Sequence, residues 1–294
     1  MTELYNILTT TYNKRFNYFK KKNFRKIMKE RYENQGYTVQ EDNGLIANNL
    51  YIGNLNADKV LMAHYDTPPN MSLFLIFNNA FGAKLGQVLI ILVLIISLYF
   101  VGSTFPQYYG IYNIILSLYI ISMFVVGNNN NFTDNTSGVL TILAFLETKE
   151  VDVKRLNEEY LIVLTDNEEK GLFGAYKFKR FMKKQKQFSN KNIVVIDCVG
   201  AGENYAVISL GKNANADKFY KVNNQVSGIE RYPSKVLMSD NGMLGQNAFL
   251  VSKLSKSKYF KKPTIKHMHT NKDKELNINN IVEVHQMIKN YFEN

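Results

Sequence analysis

The feature that most restricts the fold of this chain is a long window almost without charge. Between Asp66 and Asp134 the one charged residue is Lys84. The window holds two apolar runs of 17 and 19 residues, at 85–101 and 108–126, joined by the uncharged link GSTFPQ. A bilayer core needs roughly 17–25 helical residues, so each run predicts a transmembrane helix and the pair predicts a membrane hairpin.

A pair of buried core helices is the alternative for these two runs. Neither run has a polar face, and a helix that is apolar all round needs a large protein or lipid around it. We therefore expect two transmembrane helices, at about residues 85–101 and 108–126. The stretch MSLFLIFNNAF just upstream, residues 71–81, fits an interfacial segment, and the same residues also fit a protein core.

Positive charge lies on both sides of this insertion and is absent from its tip. The chain has 36 Lys and Arg against 25 Asp and Glu, a net charge of +11. By the positive-inside rule, we expect a membrane protein whose polar body faces the cytoplasm. The one cysteine, Cys198, excludes an internal disulfide and agrees with a reducing compartment. The N-terminus, MTELYNILTTTYNKRF, has no apolar run before a cleavage site, so we expect no signal peptide.

The rest of the chain alternates between strand-like and helix-like patterns. Residues 13–34 hold nine Lys or Arg and spaced apolar side chains, which predicts a basic amphipathic helix whose polar face is either solvated or in contact with lipid. Strands are predicted at residues 45–52, 59–63, 160–165, 192–196 and 206–210. Helices are predicted at residues 138–148, 174–186 and 280–292. Strands separated by helices favour an α/β fold with three layers, α/β/α, around a mostly parallel mixed sheet.

Acidic and imidazole side chains recur at the ends of the predicted strands and in the loops before predicted helices. His64 and Asp66 follow the strand KVLMA and share one face, so the carboxylate can orient the ring, as carboxylates do for metal-bound histidines. The other such residues are Asp134, Glu168, Glu169, Asp197, His267 and His269. Each has an ordinary explanation by itself; Asp134, for example, fits a helix N-cap. If the sheet is parallel, its strand ends and the loops beside them meet at one edge, so together these side chains predict a site for two divalent ions.

Five motifs in this set occur in a fixed order. They are His64-x-Asp66, DNTSGV, DNEEKGLFGA, VIDCVG and HTNKD, spread from residue 64 to residue 273. In these motifs the chain resembles peptidase family M28, a family of co-catalytic zinc metallopeptidases that are mainly aminopeptidases. The resemblance covers the chain apart from the insertion and the basic N-terminal region. It implies a catalytic domain formed by residues 1–70 and 128–294, interrupted by a hydrophobic insertion at 71–127.

The resemblance also implies a role for each site residue. The implied ligands of two zinc ions are His64, Asp134, Glu169, Asp197 and His269. Asp134 would bridge the two ions. His64 and Asp197 would complete the ligands of one ion, and Glu169 and His269 would complete those of the other. Glu168 is the implied general base, which takes a proton from the metal-activated bridging water as that water attacks the peptide carbonyl. Asp66 is the implied orienting residue of His64.

General chemistry agrees with these implied roles. Three protein ligands on each ion leave positions for water and substrate, as catalytic zinc requires. Two ions about 3.5–4 Å apart can polarise the scissile carbonyl and lower the pKa of a water. Glu168 can then pass the proton to the leaving amine. The predicted function is therefore a membrane-anchored di-zinc exopeptidase, foremost an aminopeptidase, whose partners are membrane lipid and peptides that are hydrophobic or membrane-associated.

Two alternatives remain open for the function. One is a catalytically inactive, membrane-associated peptide-binding protein of the same fold. The other is a glutaminyl-cyclase-like zinc enzyme, a chemistry typically associated with a single zinc. A nucleic-acid partner is not expected, because it would explain the net charge but not the carboxylates.

Some residues near the motifs depart from the family pattern or have structural explanations. Asn241 in Ser239-Asp240-Asn241 stands where the family has histidine in a Ser-Asp-His stretch, which puts the substrate contacts there in doubt. We expect His267, His285 and Cys198 to be structural: a loop residue, a helix residue and a buried core residue.

Overall fold

The computed structural model describes residues 2–71, 78–81, 83–148 and 152–293. The strands of this part of the chain are β1 Val39–Asp42, β2 Asn49–Gly53, β3 Lys59–His64, β4 Tyr160–Thr165, β5 Asn192–Ile196, β6 Asn204–Ser209, β7 Ile229–Pro233, β8 Ala248–Lys256 and β9 Pro263–Thr264. The helices are α1 Thr2–Asn6, α2 Tyr18–Asn34, α3 Asn78–Phe81, α4 Ala83–Thr104, α5 Tyr109–Val125, α6 Ser137–Glu147, α7 Val153–Glu159, α8 Phe173–Lys184, α9 Ala214–Val222, α10 Asp240–Leu244 and α11 Ile278–Glu293.

These strands form a mixed sheet in the order β1-β2-β4-β3-β5-β8-β6-β7, and β9 pairs with β8. The centre of the sheet is parallel, because β4, β3, β5 and β8 each run parallel to the next. Antiparallel pairs flank this centre: β2 with β1 and β4 on one side, and β6 with β8 on the other. The predicted α/β class with a mixed sheet is confirmed.

Helices cover both faces of the sheet, as the alternation of side chains along β4 makes clear. Ile162 and Leu164 belong to one hydrophobic core, and Leu161 and Val163 belong to the other. The first core receives side chains from α1, α2, α6, α9 and α11, and the second receives them from α8 and α10. An apolar run such as YLIVLT, buried on both faces, is typical of a central strand between two helical layers.

The predicted boundaries differ from the structure where a turn or a polar edge intervenes. The strand predicted at 45–52 starts only at Asn49, because Gly44 N donates to Asn48 Oδ1 in a turn and Leu45 is fully exposed. The edge strands β1 and β7 were not predicted, since VQED and IERYP are too polar to read as buried strands. β8, in the middle of the sheet, was also missed. The basic helix begins at Tyr18, where the Asn17 side chain caps it.

The basic helix α2 is only partly solvated. Lys21 and Arg25 are 4% and 2% exposed, so two of its cations point into the protein. The expectation of a polar face that is either solvated or in contact with lipid is wrong for these residues.

The two apolar runs form a helical pair that stands out from the body. Among the described residues, one helix, Leu85–Thr104, is long and apolar enough to cross a membrane, with a mean hydropathy of 2.6 and 11% of it buried. The second helix, α5, has 17 residues and starts one residue later than predicted. Ser97 Oγ and Tyr112 OH are 2.6 Å apart and join the two helices. Side chains such as Ile96 and Leu118 are more than half exposed, so these are not buried core helices of this chain.

The insertion leaves and re-enters the body at one place. Pro69 and Gly127 form a β-bridge there. Asn70 N donates to Val126 O at 2.9 Å, and Asn128 N donates to Pro68 O at 2.9 Å. The predicted interfacial segment, residues 71–81, lies largely outside the described residues, and the domain boundaries stay a prediction.

Candidate active site and metal centre

Three neighbouring parallel strands deliver the predicted site residues to one edge of the sheet. His64 is the last residue of β3, Asp197 directly follows β5, and Glu168 comes three residues after β4 ends at Thr165. Since β3 lies between β4 and β5, these side chains meet at the carboxyl ends of the strands, where open α/β sheets bind ligands.

Asp134 is held in a turn just before α6. The carboxylate of Asp273 accepts the backbone N–H groups of Thr133 at 2.8 Å and of Asp134 at 3.0 Å. The start of α6 is capped by Asn135, whose Oδ1 accepts from Gly138 N at 2.9 Å. The side chain of Asp134 is therefore not needed as a helix cap. The carboxylate of Asp134 is free to point into the site, where it is 3% exposed.

The two oxygens of Asp134 face two different clusters. Oδ1 lies 3.3 Å from His64 Nε2, which is also 3.4 Å from Asp197 Oδ1. Oδ2 lies 3.0 Å from His269 Nε2, which is also 3.1 Å from Glu169 Oε2. Within each cluster the nitrogen and oxygen atoms lie within 4.8 Å of one another. The structure thus brings all five predicted ligand residues together, three to a cluster, with Asp134 in both.

Glu168 lies beside these clusters. Its carboxylate, with His64 and Glu169, forms a third group of atoms within 4.8 Å of one another. Its backbone N–H donates to Asp66 Oδ1 at 3.1 Å, and Glu169 N donates to Asp66 Oδ2 at 3.3 Å. The Asp66 carboxylate thus anchors the loop that carries both glutamates.

The ring of His64 is oriented mainly by the backbone of Asp66. His64 Nδ1 is 3.1 Å from the Asp66 carbonyl oxygen and 3.6 Å from the Asp66 carboxylate. A ring nitrogen that donates to a carbonyl leaves Nε2 as the free lone pair, the form that binds metal. The orienting residue is the predicted one, although its carbonyl makes the shorter contact.

Burial and crowding shift the pKa values of this site. Burial raises the pKa of Glu169 to about 7 and raises that of Glu168 well above its ordinary value. Burial alone would raise the pKa of Asp134, but hydrogen bonds from His269 and His64 lower it. Burial alone would lower the pKa of His64, yet the carboxylates of Asp197 and Glu168 raise it. Buried carboxylates at this spacing can be ionised together only if positive charge lies between them.

Buried cations of the N-terminal region bind the chain segments that carry the site residues. The sequence did not predict these contacts. Arg15 is fully buried and donates to the carbonyl oxygens of Tyr12 and Tyr65 and to Thr136 Oγ1. It thereby ties the residue between His64 and Asp66 to the turn after Asp134. Lys21 Nζ binds Asp166 Oδ1 at 2.6 Å, two residues before Glu168. A run of Lys and Arg gives no local signal for which of them turn inward.

The residues expected to be structural, Cys198, His267 and His285, lie outside the groups of potential metal ligands found among the described residues. Cys198 is buried, and the His285 ring lies 4.1 Å from that of Phe145 on α6. The His267 carbonyl accepts from Thr270 N at 3.1 Å in the loop before His269. Asn241 Oδ1 accepts from Ser239 N at 3.2 Å and is fully buried, so its amide serves the start of α10.

Comparison with known proteins identifies the family. The sequence profile of peptidase family M28 matches residues 124–290, more than half of the chain. This chain belongs to peptidase family M28. The family makes it a zinc-dependent peptidase, as the sequence motifs predict. A comparison with curated protein sequences finds no match.

Solved structures of similar fold agree with this membership. A zinc-dependent exopeptidase from Parabacteroides distasonis has a TM-score of 0.63 at 12% identity, covering 100% of this chain and 96% of that one. The LapA aminopeptidase of Legionella pneumophila has a TM-score of 0.62 at 12% identity, covering 99% and 68%. A glutaminyl cyclase from Porphyromonas gingivalis has a TM-score of 0.62 at 14% identity, covering 99% and 95%. At these identities the likeness concerns the fold.

The side chains of the M28 site fit zinc. Two imidazole nitrogens and carboxylate oxygens are ligands that zinc takes in catalytic sites. Glu169 Oε1 and Asp197 Oδ1 are buried and accept no hydrogen bond from the described residues, although Asp197 Oδ1 has the 3.4 Å contact with His64 Nε2. A buried carboxylate oxygen without a partner is costly unless a cation binds it, so these two oxygens are suited to metal ligation.

Proposed function

We propose that this M28 peptidase is a membrane-anchored aminopeptidase that binds two zinc ions. The proposal rests on one observation above all: the carboxylate of Asp134 presents one oxygen to the His64 cluster and the other to the His269 cluster. A shared carboxylate between two sets of ligands is the arrangement that a pair of ions needs. His64, Asp134 and Asp197 would hold one ion, and Asp134, Glu169 and His269 would hold the other.

Bound zinc would supply a Lewis acid that polarises the peptide carbonyl and lowers the pKa of a water. The chain itself would move the proton. Glu168 lies beside both clusters without belonging to the proposed ligand set, so its carboxylate can accept a proton from the attacking water. The same carboxyl can then donate the proton to the leaving amine. Asp66 supports this step, because its carboxylate binds the backbone N–H group of Glu168.

Two measurements test the reaction and the ion count. Elemental analysis of the purified full-length chain should give two zinc ions per protein. Digestion of a mixed peptide library should trim amino ends in a zinc-dependent way, as expected from the fold shared with aminopeptidases. Trimming from carboxyl ends would refute the aminopeptidase assignment and leave the peptidase assignment intact.

Glutaminyl cyclisation is the second candidate, favoured by the fold shared with a glutaminyl cyclase. One tightly bound zinc, together with release of ammonia from peptides that begin with glutamine, would support it. Retention of such peptides without any change to them would support a binding protein instead.

The membrane part of the proposal rests on the exposed apolar helices. At 1.5 Å per residue, the 22 residues of α4 span about 33 Å, enough for a bilayer core of about 30 Å. The 17 residues of α5 span about 25 Å, so the hairpin would need to tilt α4 or thin the bilayer locally. With the Lys-rich body on the cytoplasmic side, the substrates would be peptides that are hydrophobic or lie along the membrane.

Cell fractionation tests the anchor. The full-length chain should sediment with membranes and require detergent for release. Replacement of residues 85–126 by a short Gly/Ser linker should move the protein to the soluble fraction. Full-length protein that is soluble without detergent would refute the anchor.

A further inference from the structure

The turn between β8 and β9 is an exposed basic and aromatic surface. We call residues 256–262, KSKYFKK, the basic turn. The side chains of Tyr259 and Phe260 are 60% and 55% exposed. Its lysines, Lys256, Lys258, Lys261 and Lys262, are all exposed. The turn lies in a stretch from 241 to 272 that contains seven lysines and no acidic residue.

Backbone hydrogen bonds hold the basic turn in shape. Ser257 N donates to Lys262 O at 2.8 Å, and Lys261 N donates to Ser257 O at 3.1 Å. Lys262 N also donates to Ser257 Oγ at 2.9 Å. A turn closed in this way keeps the two aromatic rings at its tip, away from the hydrophobic cores. In the described part of the chain none of its four lysines has an ion-pair partner, whereas nearby Lys266 pairs with Glu203 at 3.6 Å.

The basic turn lies where the apolar helices leave the body. Tyr259 N donates to the carbonyl oxygen of Ala80 at 3.0 Å. The ring of Phe81 lies 5.6 Å from that of Tyr259 and 5.9 Å from that of Phe260. Ala80 and Phe81 belong to α3, directly before the helix that is long enough to cross a membrane. The exposed aromatic rings are thus continuous with the first residues of the apolar hairpin.

We propose that the basic turn docks on an anionic lipid surface, with Tyr259 and Phe260 at the level of the lipid headgroups and the lysines on the phosphates. The inference rests on the proposed membrane anchor and goes beyond it, because it assigns a second contact and a lipid charge. Aromatic side chains concentrate at membrane interfaces, and lysines are attracted to anionic leaflets. An acidic protein would satisfy the lysines but would not explain aromatic rings packed against the start of an apolar helix.

A short piece of chain connects the basic turn to the active site, so docking of the turn would also place the His269 loop near the membrane. The turn continues through β9 into the loop that carries His269. The carbonyl oxygen of His269 accepts from Met71 N at 2.9 Å, and Met71 lies in the segment that leads to the hairpin. The His269 loop is therefore connected on both sides to segments that we place at the membrane.

A single indole reports on the depth of the turn. The chain has no tryptophan, so F260W in the full-length protein carries the only indole. The matched control is Q185W, because Gln185 is exposed at the end of α8, which leads to the start of β5, away from the site edge. Both variants are reconstituted into vesicles of phosphatidylcholine, alone or mixed equally with phosphatidylglycerol, and quenching by lipids brominated at the headgroup end of their acyl chains is measured. Flotation on a density gradient verifies association with the vesicles.

We expect the indole at position 260 to show blue-shifted emission and strong quenching in the mixed vesicles, and weaker quenching in phosphatidylcholine alone. The indole at position 185 should not be quenched. Each lysine near an anionic surface strengthens association about fivefold, so K258Q, K261Q and K262Q combined with F260W should lower the quenching in the mixed vesicles to about the level seen in phosphatidylcholine alone.

The outcomes separate the turn from the anchor. A protein that does not float with either kind of vesicle would overturn both. A protein that floats but shows equal quenching at positions 260 and 185 would overturn docking and leave the anchor in place. Quenching that is the same in both lipid compositions, or unchanged by the three lysine substitutions, would overturn the role of anionic lipid.

Discussion

Glu168 and Glu169 are adjacent, but we assign them different roles, a general base and a metal ligand. The same substitution, Glu→Gln, can therefore test both roles. Glu→Gln at either position removes a charge and keeps the shape of the side chain. Glu169 Oε2 lies 3.1 Å from His269 Nε2 and its other oxygen is buried without a partner in the described structure. The described hydrogen bonds of Glu168 involve only its backbone, with Asp66, Gly171 and Leu172. Glu168→Gln should therefore leave the fold and the metal ligands in place.

The two substitutions should affect different quantities: Glu168→Gln the turnover number, and Glu169→Gln the zinc content. A positioned general acid–base group contributes about 100-fold to 10,000-fold to the rate, which is about 3–5 kcal/mol of transition-state free energy. Glu168→Gln should lower kcat by at least about 100-fold with two zinc ions retained. Glu169→Gln replaces an anionic ligand by a neutral amide, so it should lose the ion at the His269 cluster and become active again only at raised zinc concentration.

The assay pairs peptide hydrolysis with elemental analysis of each purified variant. Thermal denaturation in detergent verifies that both variants are folded. If Glu168→Gln keeps two ions and near wild-type turnover, Glu168 is not the base. If Glu168→Gln loses zinc as readily as Glu169→Gln does, it is a ligand and the assignment of the pair is reversed.

Four further changes test the surroundings of the site. Asp134→Asn should lose at least one zinc ion, as measured by elemental analysis, and two tightly held ions would mean that the carboxylate is not shared. Asp66→Asn turns an amide N–H toward a backbone N–H donor, so it should lower kcat roughly 10-fold to 100-fold by displacing Glu168, a loss of about 1–3 kcal/mol; turnover within a factor of two of wild type would contradict this. Arg15→Lys cannot reproduce the forked contacts and should cost about 2 kcal/mol of unfolding free energy, visible as a lower melting temperature. Glu147 accepts from Arg31 Nε at 2.9 Å and from Nη2 at 3.0 Å; burial alone would raise the Glu147 pKa, but these hydrogen bonds lower it. Because the folded pKa is below the ordinary value of 4.5, the pair stabilises the fold above that pH and the stabilisation is lost as pH falls through the folded pKa. Glu147→Gln should therefore lower the melting temperature at pH 7, and the difference from wild type should close at acidic pH.

Local sequence patterns predicted many of the strands and helices. The strands β4 and β5 have the bounds predicted from their apolar runs, and α6, α8 and α11 lie within two residues of prediction. These elements are buried or clearly amphipathic, so their periodicity records their environment. The edge strands β1 and β7 were missed because VQED and IERYP are short and polar, so neither an apolar run nor an alternation of apolar and polar residues marks them. β8 lies beside β5 in the parallel centre and is buried on both faces, but its sequence AFLVSKLSK mixes polar with apolar residues without a period of two, so the pattern does not predict a strand there.

The sequence by itself determined which residue types converge, because the M28 motifs lie at the ends of parallel strands and in the loops before α6 and α11. Only the tertiary structure decided which atoms of these residues face one another and which residues hold them in position. The two oxygens of Asp134 face different histidines, and the Asp66 carboxylate binds the glutamate loop. Arg15 reaches Thr136 across 121 residues of chain, and Asp273 holds Thr133 across 140. Contacts between residues so far apart leave no local periodicity, since their geometry exists only once the sheet has formed.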